Sequence, residues 1–561
     1  MADSEVLKQL RQRVDTLNQA RLTWLDYWRD VKDYICPQQG RLDNTEDEQN
    51  NGKKKTSKII NGAATNALEI LASGMQSGLT SKALPWFRLS SPDPDLNKWP
   101  PVARWFRSVQ DRLYYMFDRS NIYNALYHTY YELGGFGTAA MAVLEHPTRI
   151  LRARPFTIGE YWMDLNEFLE TDVFVRREWM TARQMMAYFG KDRVTQAVQN
   201  AFEKSDLKTR FEVINIIEKN DDVFDLKECD GKPFRSIYFE AKGRNDNDNR
   251  GLLSVKGYYE FPVMCPRWHV TGSDVYGWGP CRKVIDNTKM LQSMESDKLK
   301  ALAKLVKPPM NAPPELKGEG VDVSPGAINY SSSGSGQSDA LRPLYQVQPD
   351  VQGIAVAINS VVNEIKTGLY NQLFMMIAQT DKTMTATEVA ERHQEKLLML
   401  GPVLERVHSE LLDVLINRSY AMAFRAGAIP PMPMDLRGKP VRIDYVSILS
   451  QAQKAVDVTA IEQATHFLGT LAAVKPEVLN VIDLESAGAM YAQLVGVHPD
   501  LLRTPEEIAK LEAQAQQQLR QQQQAQLAAQ YADSARVVSQ VDPQNLRQVA
   551  QQLTGGGGMM Q

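Results

Sequence analysis

With 561 residues, 43% of them hydrophobic, the chain is globular and long enough to fill two or more hydrophobic cores. Its 64 basic and 67 acidic residues leave a formal net charge of −3, which argues against a surface that grips duplex nucleic acid tightly, since such affinity comes from neutralising phosphates. Four cysteines without regular spacing, Cys36, Cys229, Cys265 and Cys281, exclude a disulfide framework and point to reduced thiols and assembly in a cytoplasm. No stretch approaches the ~20 apolar residues of a membrane span, and Asp3, Glu5 and Lys8 leave no signal peptide to expect, so a soluble product is anticipated.

In chain order, residues 1–35 read as helix, with Leu7, Leu10, Val14, Leu17 and Leu22 at helical spacing. Leu42 to Ser57 is a polar loop in which Asp43, Glu46, Asp47 and Glu48 precede Lys53, Lys54 and Lys55. Helices are expected at Ala63 to Ser77, at Val102 to Arg119 after Trp99-Pro100-Pro101, and at Ile122 to Leu133. Between Arg210 and Val270 the pattern turns to strand, with β-branched and aromatic runs at Phe211 to Ile217, Ser236 to Ala241 and Leu252 to Phe261.

From Arg282 to Lys307 a long amphipathic helix follows. At 100° per residue Lys289, Ser293, Ser296, Lys300, Lys304 and Lys307 share one stripe, and Val284, Leu291, Leu299, Leu302 and Val306 lie opposite. Taken alone, such a lysine stripe is more often simply the solvated face of a helix. Helix cannot continue through Lys307-Pro308-Pro309, Ala312-Pro313-Pro314 and the run Ser331 to Gly336. After Pro349 a second helix places Val351, Ile354, Ala355, Ile358, Val361, Val362, Ile365 and Leu369 on a narrow apolar seam suited to a neighbouring helix. A loop from Phe374 to Thr385, polar at its tip, leads to another helix. Toward the end, Lys454 to Val495 reads as short helices joined at Lys475-Pro476. Thr504-Pro505-Glu506-Glu507 is a capping box with proline at the first helical position. The Ala- and Gln-rich helix after it is polar nearly all round, either a segment that packs between copies or an arm that orders only with a partner.

Apparent sites for chemistry fail on inspection. Asp246-Asn247-Asp248-Asn249-Arg250-Gly251 starts like a calcium loop, but Gly257 stands where the bidentate glutamate belongs. Cys265, His269 and Cys281 lack a fourth ligand. Gly52-Lys53 lacks the earlier glycine and the Ser or Thr of a phosphate-binding loop. His128, His146, His393, His408, His466 and His498 show no nucleophile constellation. No catalytic residue, metal or cofactor is expected, and a nucleic-acid-processing enzyme would need carboxylates or a phosphate loop that are not apparent.

Several runs resemble, in the right order, the signatures of bacteriophage portal proteins of the podovirus type, the head-to-tail connecting proteins. They are Asn61-Gly62-Ala63-Ala64 with Leu71 to Leu79 and Leu84-Pro85-Trp86-Phe87; Phe168 to Glu178 with Thr181-Ala182-Arg183-Gln184; Met384 to Arg392; and Val495 to Pro499 with Leu502 to Ile508. The likeness spans about residues 10–540. It implies an α+β, predominantly helical portal fold of wing, stem, clip and crown, with a C-terminal helical barrel segment, assembled as a ring. Residues 1–280 would be the wing, its β-rich part at 210–270, and 281–307 the first stem helix. The clip would be 308–349, the second stem helix 350–373 and the tunnel loop 374–386. A long helix and the C-terminal part of the wing would occupy 387–450, the crown 451–500, a barrel helix 501–542 and a flexible tail 543–561.

The function implied is that of a passive conduit for DNA entry during packaging and exit during ejection. The ring would hold about twelve copies, sit at the portal vertex of the virion between capsid and tail, and assemble in the host cytoplasm without a membrane. Its partners would be double-stranded DNA, contacted transiently and without sequence preference, the large terminase and then the tail adaptor, and the major capsid and scaffolding proteins. Lys289, Lys300, Lys304, Lys307, Gln379 and Lys382 would line the DNA channel. Pro308, Pro309, Pro313, Pro314, Tyr330 and Tyr345 would belong to the surface that docks terminase and adaptor. Another phage structural component, a tail adaptor or tail-tube protein, is the nearest alternative.

Overall fold

The computed structural model describes residues 3–42, 58–206, 208–220, 229, 231–241, 252–306, 310–311, 342–343, 350–378, 400–446, 464–471 and a few positions from 488 to 525. They fall in two compact units, 1–459 and 460–561. In the second, residues 464–471 are helical, and most of the expected crown and barrel helix lies outside the described residues.

The first unit mixes helix with antiparallel sheet. Helices α1 (Asp3–Arg21) and α2 (Leu25–Tyr34) are separated by a 3-10 turn, Leu22–Trp24, where one helix was expected. The break has a packing cause: the two halves serve different cores. Val6, Leu10 and Val14 of α1 pack on a sheet, whereas Trp24 and Trp28 join Tyr276 and Trp278, the Trp24 and Trp278 rings lying 4.3 Å apart. Between them the buried Arg21 donates from Nη1 to the carbonyl oxygens of Gly159 and Tyr161, each at 3.1 Å, and so ties α1 to the sheet edge.

Next come α3 (Ala63–Leu79), β1 (Phe87–Ser90), α4 (Pro94–Lys98), α5 (Pro100–Arg119) and α6 (Ile122–Phe136). The paired prolines start α5 because their missing N–H groups would have no helical partner there. Four strands then appear ahead of the expected β region: β2 (Ala140–His146), β3 (Ile150–Phe156), β4 (Tyr161–Leu165) and β5 (Thr171–Thr181). Alternation could not announce β2, whose first four residues are all buried, so its apolar residues form a run rather than a period of two. Thr181-Ala182-Arg183-Gln184 is a capping box that opens α7 (Ala182–Phe189), with Thr181 and Gln184 bonded reciprocally. After α8 (Gln196–Glu203) come β6 (Arg210–Lys219), β7 (Phe234–Glu240), β8 (Leu252–Tyr258) and β9 (Val263–Met264).

Strands β4-β5-β6-β7-β8 form an antiparallel sheet in sequence order, and β3-β2-β9 a second one. Packing of α1 covers one face of the first through Trp162, Val175, Ile214, Ile216, Ile237 and Phe239. The main core gathers α2, α3, α5, α6 and the three-stranded sheet around the start of α9 (Cys281–Val306). Backbones meet there: Gly137, at φ +82°, has the backbone of Gly277 and Gly279 where a Cβ would point, with Gly279 N at 2.2 Å. The chain continues through β10 (Met310–Asn311), β11 (Arg342–Pro343), α10 (Val351–Gly368), α11 (Asn371–Ala378), a helix over residues 400–425 (α12) and β12 (Arg442–Tyr445). Antiparallel pairing of β12 with β1, Phe87 opposite Tyr445, joins two segments far apart in the chain.

Candidate functional site: a two-helix projection

Helix α9 is rooted in the core and ends outside it. Cys281, Val284, Ile285, Thr288, Leu291, Gln292 and Glu295 are buried. Helix α10, opened by Asp350 capping Gly353 N at 2.8 Å, buries Ile358, Val361 and Ile365. Val284 lies against Gly368, where a Cβ would come within 2.4 Å of Cγ1, and Asn287 Nδ2 donates to Glu364 Oε2 at 3.1 Å. Rising numbers on one helix meet falling numbers on the other, so the pair is antiparallel. Glycine at 368 lets the two axes close on each other.

The root is clamped by one glutamine. Gln292 Oε1 accepts from the backbone N–H groups of Ile60 and Asn61 at 2.7 and 2.9 Å, and its Nε2 donates to Asn61 O at 2.9 Å. Asn61 in turn donates from Nδ2 to Glu295 Oε1 at 2.9 Å and accepts from Ala63 N at 3.0 Å, which fixes the start of α3 on α9. The Lys298 ammonium bonded to Glu295 holds that carboxyl below the usual carboxylate range. At the root's base, burial pushes the Cys281 thiol up, so it stays protonated and inert.

Past Glu295 the helix leaves its cover while its pattern continues. Thr288, Glu295, Leu299 and Val306 share one face at 100° per residue, yet Leu299 is 52% and Val306 72% exposed. On α10, Val356 is 70% exposed. The outer end of the projection thus carries apolar side chains that nothing in the chain's described residues covers.

The lysines expected on one functional stripe do not behave alike. Lys289 is engaged by the body: its Nζ lies 2.7 Å from Asp30 Oδ2 and 5.7 Å from the centre of the Tyr34 ring, both on α2. It makes a contact between α9 and α2 where the stripe is still beside the body. Lys300 is exposed and pairs within its own helix with Asp297 at 3.1 Å. Lys304 is exposed and makes no ion pair among the described residues. Lys307, Gln379, Lys382, Pro308, Pro309, Pro313, Pro314, Tyr330 and Tyr345 lie outside the described residues. Of the insert between the helices, Met310 pairs with Pro343 and Asn311 with Arg342, so its two ends meet in antiparallel register.

The chain beyond α10 departs from expectation in two places. The second helix stops at Gly368, with Tyr370 at φ +57°, and restarts as α11 at Asn371. The segment expected as loop from residue 374 is helical to Ala378. Anchoring explains both: Leu373 and Phe374 are buried, and Phe374 fills the space that a side chain at Gly74 of α3 would take, 2.3 Å from the Cβ position. Helix α12 is wound as a π-turn over His408–Leu412. The turn stacks His408 on Tyr445 at 4.0 Å and brings Glu410 to Arg267 at 2.7 Å. Buried Arg267 also donates to Leu169 O at 2.8 Å, joining the β4–β5 turn, the segment ahead of α9 and α12. Sequence reasoning missed this junction, because its members lie 98 and 143 residues apart.

Among the described residues no group of His, Cys, Asp and Glu is placed to hold a metal ion, and no helix is long and apolar enough to cross a membrane.

The comparisons with known proteins agree on one family. A family described as "Bacteriophage head to tail connecting protein" matches residues 7–502. The "Probable portal protein" of Bordetella phage BPP-1 is 34% identical over 544 residues, 97% of each chain. The "Portal protein" of Salmonella phage epsilon15 is 35% identical over 556 residues, 98% of this chain and 99% of the relative.

Proposed function

The chain belongs to the bacteriophage head to tail connecting proteins, and from that premise we propose how its projection serves a portal ring. Its role is structural rather than enzymatic, that of a portal in the virion where head meets tail. In our reading α9 and α10 are the stem. The exposed face of Leu299 and Val306 turns to the neighbouring subunit, and Lys300 and Lys304 turn to the axis. The observation that carries it is the uncovered apolar stripe continuous with a buried one: closed rotational symmetry covers such a face in every copy without leaving an open end. A ring also repeats each lysine at one height, which makes a circle of weak phosphate contacts suited to sliding DNA. At 1.5 Å per residue, the 26 residues of α9 give a channel section about 40 Å long.

The insert, residues 308–349, is the clip in this reading, where terminase docks during packaging and the tail adaptor afterwards; Gln379 and Lys382 touch DNA from the tunnel loop. Light scattering on the purified 63.3 kDa chain tests the assembly. A ring of about twelve copies gives a mass of roughly 760 kDa. A stable monomer at working concentration overturns it.

A further inference from the structure

A second basic surface lies away from the stem, at the β2–β3 turn. Register pairs His146 with Ile150, leaving Pro147, Thr148 and Arg149 as the turn. Ile150 holds φ +67°, a left-handed conformation that a β-branched residue rarely adopts. Beside the turn, the junction between α5 and α6 is clamped to β3: Asn121 Nδ2 donates to Ala153 O at 2.7 Å and its Oδ1 accepts from Ala153 N at 3.0 Å. Turn and junction enclose a cleft of about 290 Å³, lined by Ser120 and Asn121 on one side and by His146, Arg149 and Arg152 on the other.

The cleft is one-signed. No carboxylate lines it, and the first turn of α6 beside it holds no acidic residue. The adjacent Glu145 is engaged elsewhere, by Arg425 Nη2 at 3.2 Å. Neither the Arg149 nor the Arg152 guanidinium has a partner among the described residues. Arg13, Arg154, Arg176, Arg267, Arg406, Arg418 and Arg425 each have a carboxylate. His146 Nδ1 accepts from the backbone N–H groups of Thr148 and Arg149 at 3.3 and 3.2 Å, which places the ring proton on Nε2 as a further donor.

We propose that this cleft binds a phosphate-type oxyanion, held in a fork by Arg149 and Arg152 and by His146 Nε2–H. Planar guanidinium forks match phosphate oxygens two bonds at a time. The ligand is a free phosphate or a single phosphodiester of duplex DNA presented to the surface. All of its parts come from one chain, so the site does not depend on the ring reading.

Full-length protein is titrated with a labelled 20-base-pair duplex at several salt concentrations, and separately with inorganic phosphate followed by phosphorus NMR line width. The variants are Arg149→Ala with Arg152→Ala, and Arg149→Lys with Arg152→Lys. If the phosphodiester is the ligand, the alanine pair weakens duplex binding about tenfold and lowers the salt slope by about one, and the lysine pair restores the slope but not all the affinity. Loss of inorganic phosphate binding with unchanged duplex binding also supports the site and assigns it to free phosphate. Unchanged binding of both ligands overturns the proposal. So does a loss confined to polyglutamate, titrated in parallel as a third ligand, which would make the cleft a dock for an acidic protein. Light scattering on the same variants keeps a failure of ring assembly distinct from a failure of this site.

Discussion

The inner and outer halves of α9 obey the same period and live in different environments. From Cys281 to Glu295 the helix meets α10, α2 and α6, and the buried polar members of its apolar face are all bonded: Thr288 to Val284 O at 2.8 Å, Gln292 to the Ile60-Asn61 backbone, Glu295 to Asn61. From Ser296 to Val306 the cover thins, Leu302 is only half-buried, and Leu299 and Val306 of the same face are exposed. A helix that continues its pattern past its own core is built for a second body, and the contrast assigns the inner half to folding and the outer half to assembly.

The contrast can be broken by substitutions ranked by their expected size. Leu291→Ala, at a fully buried site, should cost about 2–5 kcal/mol of subunit stability, read as a fall in the denaturant midpoint; a loss as small as that of an exposed residue would show the root is not packed as described. Gln292→Ala removes both halves of the clamp on Asn61 and leaves two backbone N–H groups without their acceptor. About 1–3 kcal/mol is expected, together with faster hydrogen exchange at the start of α3. Leu299→Ser with Val306→Ser should leave the isolated subunit within about 0.5 kcal/mol of the parent, the range of surface changes. In sedimentation at falling concentration its assemblies should dissociate earlier than the parent's, and identical dissociation would remove the outer half from the interface.

The smallest structural effect is reserved for the lysines. Lys300→Ala with Lys304→Ala gives up only an exposed pair with Asp297 and should not change the midpoint measurably. DNA retention should change, more at low salt than at high, because screening weakens phosphate contacts. Equal retention at every salt concentration would make the stripe a solvated face. Lys289→Ala should differ from both, with a small stability loss from its Asp30 contact and no effect on DNA retention.

Much of this was legible in one dimension. Periodicity located both ends of α9 and the start of α10 to within one residue, because a helix writes its buried face into the sequence at intervals of three and four. The proline pairs and Ser/Gly run marked where helix had to stop. Partners were not legible. The same stripe reads Lys289 and Lys300 as equivalents, and only the fold brings Asp30, 259 residues away, to one of them. Likewise β2, buried from its first residue, carries no alternation to announce a strand, and the helix break at Tyr370 depends on Phe374 finding the space beside Gly74.

The sequence by itself therefore determined the placement of the long helices α3, α5, α6 and α9, the family signatures and the apolar face that outruns its core. Those properties depend on residues near one another along the chain. Tertiary structure alone decided which lysine is held by the body, where α1 and α2 part, how Arg267 joins three distant segments, and that Arg149 and Arg152 share a cleft without a counter-charge. Each of these depends on contacts between segments far apart in sequence, and local periodicity carries no information about such pairs.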